Sequence, residues 1–186
     1  MDKFNIIQVG FNPDTERANN DLYCTNPKTL ELLLQYETFD NNIWECCNGL
    51  SHLSNYLISN GYSVRKSDID NYNQTDVEII DFLQTTDVWK GDIITNPPYK
   101  DAESFVRKAL SICDGKVVMN LKINFLATQK RKQLFTDLPP KTIYILSKRY
   151  SCAKDGEFEK FNNGAIDYCW IVWEKGYEGE TKIKWI

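Results

Sequence analysis

The sequence predicts a single α/β domain with a largely parallel sheet that closes in an antiparallel C-terminal hairpin. Three observations carry that expectation. Stretches of strand and helix character alternate along the chain. An apolar strand runs straight into Asn96-Pro97-Pro98-Tyr99. A second strand, from Asn42, passes through a glycine-containing turn into a helix. In an open α/β sheet ligands bind outside the carboxyl ends of the strands, so both junctions fall where chemistry is expected.

At 186 residues the chain has the length of one domain, divided here into an N-terminal arm (1–20) and a domain (21–186). Residues 1–20 contain Gly10, Pro13 and several Asn, with no sustained period beyond a short apolar run from Phe4 to Val9. Twenty-two Lys and Arg against 26 Asp and Glu give a formal charge of −4, which excludes a global basic field for nonspecific DNA binding. Any nucleic-acid surface must be local. Met1 to Asn5 lacks the plan of a signal peptide, and no apolar run reaches membrane-spanning length, so a soluble, cytoplasmic protein without a membrane partner is expected. The six cysteines, Cys24, Cys46, Cys47, Cys113, Cys152 and Cys169, show no paired Cys-x-x-Cys spacing. With His52 the single histidine, no metal site is expected, and most thiols read as buried and reduced.

Taken in order, Asn26 can cap a helix that starts at Pro27 and places Leu30, Leu33 and Leu34 on one face, about three turns long. Asn42 to Cys46 reads as a strand. Gly49 turns the chain, and Ser51 can cap a helix burying Leu53, Tyr56 and Leu57 before Asn60-Gly61 ends it. Tyr62 to Ile69 alternates as a second strand ending on an acid, with Asp68 the candidate for binding ribose hydroxyls and Asp70 the runner-up. Glu78 to Leu83 is a short apolar stretch. Gly91 to Thr95 is the strand before the Pro-Pro loop, and it must stop at Asn96 because prolines donate no ladder bonds and bias the preceding residue away from helix.

A helix follows, with Phe105, Val106, Ala109 and Leu110 on its apolar face, then a strand from Gly115 to Leu121. A further helix is expected from Ile123 to Phe135. Its basic run, Gln129 to Lys132, suits a solvated face better than a phosphate contact. Thr142 to Leu146 and Tyr168 to Glu174 read as the last two strands. Between them, the loop from Arg149 to Asn163 carries Arg149, Tyr150 and Lys154, the candidates for substrate contacts by phosphate pairing and stacking.

The Asn96 loop offers a carboxamide, a prolyl carbonyl and an aromatic ring. The oxygen of Asn96 and the carbonyl of Pro97 can accept both hydrogens of an exocyclic amine while Tyr99 stacks on the ring that bears it. Asn96-Pro97-Pro98-Tyr99 resembles the catalytic signature Asp/Asn/Ser-Pro-Pro-Tyr/Phe of amino-methyltransferases that use S-adenosylmethionine. Trp44-Glu45-Cys46-Cys47-Asn48-Gly49-Leu50-Ser51 is similar to their cofactor motif, Trp-Glu-Pro-Ala-Cys-Gly-x-Gly, keeping Trp44, Glu45 and Gly49 but placing Ser51 at the second glycine. Asp21-Leu22-Tyr23-Cys24-Thr25-Asn26-Pro27 resembles their Asp-x-Tyr-x-Thr-Pro segment, with Asn26 intervening. Tyr23 and Thr25 equally suit a helix-entry turn with a packed ring.

Together these motifs resemble small phage-type DNA adenine methyltransferases from about Asp21 to the C-terminus. The resemblance implies a Rossmann-like methyltransferase fold and S-adenosylmethionine held by Tyr23, Thr25, Glu45, Cys47, Gly49, Asp68, Asp81 and Phe82. In the family, Asp81 would take the cofactor's adenine amine and Phe82 its face. The implied acceptor is the N6 amine of adenine in flipped-out DNA. RNA and a protein glutamine are the other acceptors such a loop serves, and a degenerate, non-catalytic binding fold is the alternative to an enzyme. Target specificity would come from the loop, the arm or the second subunit of a homodimer.

Overall fold

The computed structural model describes residues 24–150, Phe158 and residues 166–186. The arm and the site candidates Tyr23 and Lys154 lie outside the described residues. Among the described residues one sheet contains β1 (Asn42–Glu45), β2 (Ser63–Asp68), β3 (Glu78–Ile79), β4 (Asp92–Thr95), β5 (Lys116–Lys122), β6 (Thr142–Ile145), β7 (Tyr168–Glu174) and β8 (Lys182–Trp185). The strand order is β3-β2-β1-β4-β5-β7-β6-β8. The first five in that order run parallel, and β7 is inserted antiparallel between β5 and β6. The chain winds outward one way from β1 and the other way from β4, so the crevice between their carboxyl ends is the switch point of the fold.

Helices cover both faces. On one side α1 (Pro27–Leu33) and α2 (His52–Ser59) bury Leu30, Leu33, Leu53 and Leu57 against Ile43, Ile94, Val118, Tyr144 and Trp170. On the other, α3 (Ala102–Ile112) and α4 (Lys132–Asp137) pack Phe105, Val106, Ala109 and Leu134 against Trp44, Ile93, Met119 and Ile171. The period-2 alternation of β7 supplies both layers, Trp170 and Val172 to one and Ile171 and Trp173 to the other. At two turns α1 is too short to persist alone. Burial of Leu30 and Leu33, roughly 1.5–3 kcal/mol each, holds it, together with Asn26 Oδ1 accepting from Lys28 N at 3.0 Å and Trp170 Nε1 donating to the Thr29 carbonyl at 3.0 Å.

The foot of the sheet, opposite the crevice, is fastened by acids. Asp92 accepts from the backbone N–H of Asp40 at 2.7 Å and of Lys116 at 2.6 Å, tying the starts of β1, β4 and β5 together. Beside it, Glu37 accepts from Lys116 Nζ at 2.9 Å and from Tyr144 Oη at 2.6 Å. Burial alone would raise the Glu37 carboxyl, but these bonds bring it below the ordinary carboxylate range. Gly91, at φ +131°, approaches the Asn42 backbone too closely for a side chain.

Four expectations need correction. Tyr168 to Glu174 is not the last strand, because β8 follows and pairs in parallel with β6, so the C-terminal edge is more than a hairpin. All four β8 residues are exposed and alternate Lys with apolar, so no apolar run marks the strand. The expected helix from Ile123 to Phe135 is two 3-10 turns, Ile123–Ala127 and Gln129–Arg131, followed by α4. Thr128 is extended between them, at φ −113° and ψ 135°, which breaks the helical ladder, and its carbonyl accepts from Arg131 N at 3.0 Å to start the second turn. Next, the helix from Pro27 is seven residues, about two turns instead of three, closing at Leu34. Finally, Ser51 makes no side-chain cap to α2 and stands in the left-handed region at φ 62°.

Candidate functional site

A cleft of about 240 Å³ opens at the switch point. Of the residues singled out in the sequence, Thr25, Glu45, Cys47, Gly49, Asp68, Asp81, Phe82, Asn96, Pro97, Pro98 and Tyr99 all border it. They come from the turn before α1 and from the ends of β1, β2, β3 and β4, which the parallel register brings to one edge.

On the β1 side, Glu45 is 1% exposed. Its Oε1 accepts from the Thr95 hydroxyl and, at 3.3 Å, from Cys47 N. Its Oε2 is buried without a hydrogen-bond partner among the described residues. Burial pushes the Glu45 carboxyl well above its ordinary range, the Thr95 and Cys47 bonds only partly opposing it. Gly49, at φ 50°, donates its N–H to Asp68 Oδ2 at 2.8 Å, while Asp68 Oδ1 accepts from Ile69 N at 2.7 Å. Asp68 therefore holds the glycine turn as well as facing the cleft, and burial raises its carboxyl despite those backbone bonds. Asp70, the runner-up, is exposed and accepts instead from Tyr72 N at 2.9 Å.

Phe82 borders the cleft from inside the core. It is 2% exposed, stacks on Phe105 at 5.3 Å and 17°, and meets the edge of Trp44. Partly buried Ile80 and Leu83 line the same wall and give it its apolar character.

On the β4 side, Asn96 Nδ2 donates to Thr25 Oγ1 at 2.7 Å, tying the Pro-Pro loop to the turn that opens α1. The bond turns the carboxamide oxygen away from Thr25. Tyr99 and Tyr168 hydroxyls lie 3.2 Å apart, and Lys122 Nζ stands 4.1 Å from the centre of the Tyr99 ring, a cation over one face.

Two substrate candidates do not join this arrangement. Arg149 is exposed and pairs with Asp167 at 2.8 Å, and Tyr150 packs beside the α1–α2 layer. Neither borders the cleft. A charge and a ring in a polar loop fit phosphate pairing and stacking by type alone, and here an acid and the core meet those needs.

Several site residues escaped the sequence reading. Thr95 was legible in principle, as the one hydroxyl in an apolar strand directly before Asn96. Lys122 ends β5 as an unremarkable charge. Tyr72, which borders the cleft, lies in an Asn-rich connection where nothing marks it.

No family model matches the chain, and no curated protein matches it. Solved structures share its fold. One is a protein of Listeria monocytogenes described as a class I S-adenosylmethionine-dependent methyltransferase, at a TM-score of 0.61 and 12% identity over 87% of this chain and 65% of that one. The chain thus spans a little under two thirds of that protein. A Lactococcus lactis protein described as a hemolysin superimposes at 0.57 and 11% identity over 89% of this chain and 94% of that one. The 23S rRNA methyltransferase ErmE does so at 0.54 and 13% identity over 84% and 72%. The mostly parallel α/β sheet with antiparallel strands is thus the fold of S-adenosylmethionine-dependent methyltransferase structures, and identities this low establish the fold alone.

Proposed function

We propose that the chain is an S-adenosylmethionine-dependent methyltransferase that methylates the N6 amine of adenine in DNA, as a phage or mobile-element enzyme. One observation carries this reading: the Asn96–Tyr99 loop and the Glu45–Gly49–Asp68 cradle open onto one cleft. The donor set fits the cofactor. The buried Oε2 of Glu45, without a partner among the described residues, suits a ligand ammonium group, Asp68 suits ribose hydroxyls, and Ile80, Leu83 and Asp81 suit a purine and its amine.

S-adenosylmethionine, when bound, supplies a methyl group on a sulfonium that needs no further activation. The chain's task is then alignment. Asn96 Oδ1 and the Pro97 carbonyl accept the hydrogens of the amine and orient its lone pair, and Thr25 fixes the carboxamide that does so. With Lys122 over one face of Tyr99, a stacked base uses the opposite face.

Labelled methyl transfer to mixed DNA, RNA and protein tests the reading. Label is expected on adenine N6 of DNA, and Asn96→Ala is expected to abolish it with the fold retained. Full-rate labelling by Asn96→Ala refutes the assignment of the loop. Label confined to RNA or protein refutes the DNA acceptor.

A further inference from the structure

The cofactor motif departs from its usual form at Ser51, where the second glycine stands. Both Gly49 (φ 50°) and Ser51 (φ 62°) are left-handed, a conformation that costs an L residue but not glycine. From Glu45 to Leu53 every residue borders the cleft except Ser51. Its side chain points the other way and is 2% exposed.

There it meets a closed set of partners. Ser51 Oγ accepts from Asn48 Nδ2 at 2.7 Å and donates to Gln74 Oε1 at 2.5 Å. Gln74 Nε2 in turn donates to the Gly49 carbonyl at 2.7 Å and to the Asn71 carbonyl at 3.2 Å. Asn48 Oδ1 accepts from Ser54 Oγ at 2.5 Å, which anchors the clamp to α2. One glutamine side chain thus grips both left-handed residues of the turn, one through its hydroxyl and the other through its carbonyl.

The segment that delivers Gln74 is itself held out of ordinary backbone space. Tyr72 (φ 49°) and Asn73 (φ 62°) are consecutive left-handed residues, with Asp70 and Asn71 carboxyl and amide oxygens accepting from their N–H groups at 2.9 and 3.1 Å. A bulky residue such as Tyr72 in that region is an outlier, and such outliers gather where structure serves a site. Tyr72 borders the cleft.

We infer that Gln74 is a positioning residue for the cofactor turn: through Ser51 and the Gly49 carbonyl it holds open a turn that a second glycine would otherwise adopt unaided. Ser51 therefore substitutes for that glycine without filling the cleft, and the departure from the motif leaves the site competent. The inference rests on reading the cleft as a site for S-adenosylmethionine.

Calorimetric titration with S-adenosylhomocysteine tests it on the full chain, with thermal midpoints of the ligand-free proteins measured alongside. Wild type and Ser51→Gly are expected to bind within about threefold of each other. Ser51→Ala and Gln74→Ala are expected to bind about tenfold more weakly, a factor equivalent to about 1.4 kcal/mol. The double variant Ser51→Gly/Gln74→Ala is expected to recover most of that loss, which a role for Gln74 in general stability would not produce. Equal binding by Gln74→Ala and wild type, or by Ser51→Ala and Ser51→Gly, or a double variant as weak as Gln74→Ala, overturns the inference. Absence of binding by wild type instead removes the cofactor reading beneath it. If Gln74→Ala does not fold, the pair Ser51→Ala and Ser51→Gly decides alone.

Discussion

Glu37 and Glu45 are both buried glutamates at opposite edges of the same sheet, and their environments push them in opposite directions. At the foot, Glu37 has Lys116 and Tyr144 for both of its oxygens and stays ionised more readily than a free carboxylate. At the cleft, among the described residues, Glu45 meets only a hydroxyl and a backbone N–H at 3.3 Å, one oxygen is left over, and burial raises its carboxyl well above the ordinary range. Burial is common to both. The difference lies in whether the fold supplies the countercharge, and a group left short of one at a cleft is poised for a charge brought by a ligand.

The most damaging test of this contrast removes the countercharge at the foot. Lys116→Met leaves Glu37 with Tyr144 alone and takes away the bond from Lys116 Nζ to the Thr38 carbonyl. A loss of about 3 kcal/mol is expected, toward the low end for broken buried pairs. Denaturant unfolding measures it, and S-adenosylhomocysteine affinity per folded molecule should not change. Gly115→Ala attacks the same edge by sterics, since a Cβ there meets Asp92 Oδ1 and the Gly91 carbonyl. About 2 kcal/mol is expected, in the range for overpacking.

At the cleft the sign reverses. Glu45→Gln should stabilise the ligand-free protein by about 1–2 kcal/mol at neutral pH, because a neutral amide carries no cost for burying charge, about 1.4 kcal/mol per pKa unit of a shifted carboxyl, while weakening ligand binding. Because the folded carboxyl of Glu45 is raised above its unfolded value, it binds its proton more tightly when folded. Its contribution is greatest at low pH and is lost as pH rises through the folded value. The advantage of Glu45→Gln should therefore grow from pH 5 to pH 8 in thermal midpoints, and an advantage that shrinks with rising pH would contradict the unpaired state of Glu45. Least of all, Arg149→Ala should cost under about 0.5 kcal/mol and leave ligand affinity unchanged, since the pair with Asp167 is exposed.

The same contrast bounds what the sequence makes legible. Residues whose type and position both follow from backbone rules were readable: Pro97 and Pro98 stop a strand, Gly49 turns one, and Asn26 with Pro27 opens a helix. The parallel order then delivers Glu45, Asp68 and Asn96 to one edge without any of them touching in sequence. What escaped depends on partners far along the chain. The Thr95–Glu45 bond, the Gln74 clamp, and the capture of Arg149 by Asp167 are set by tertiary neighbours that no local pattern encodes. The helix expected from Ile123 to Phe135 differs for another reason: the apolar spacing is helical, but the backbone is extended at Thr128 and splits the segment into two 3-10 turns and α4.

The insertion of β7 between β5 and β6 also has a bearing on how the chain reaches this state. Both sheet neighbours of β6, namely β7 and β8, come later in the chain, so β6 cannot join the sheet by adding to anything already made. Three of the eight strands, β6, β7 and β8, must wait for Tyr168–Glu174, and the arrival of that strand also brings Trp170 to the Thr29 carbonyl of α1. One late strand thus closes contacts with both the beginning and the middle of the chain. Such non-local closure slows folding, and it makes the β6–β8 side of the sheet depend on β7.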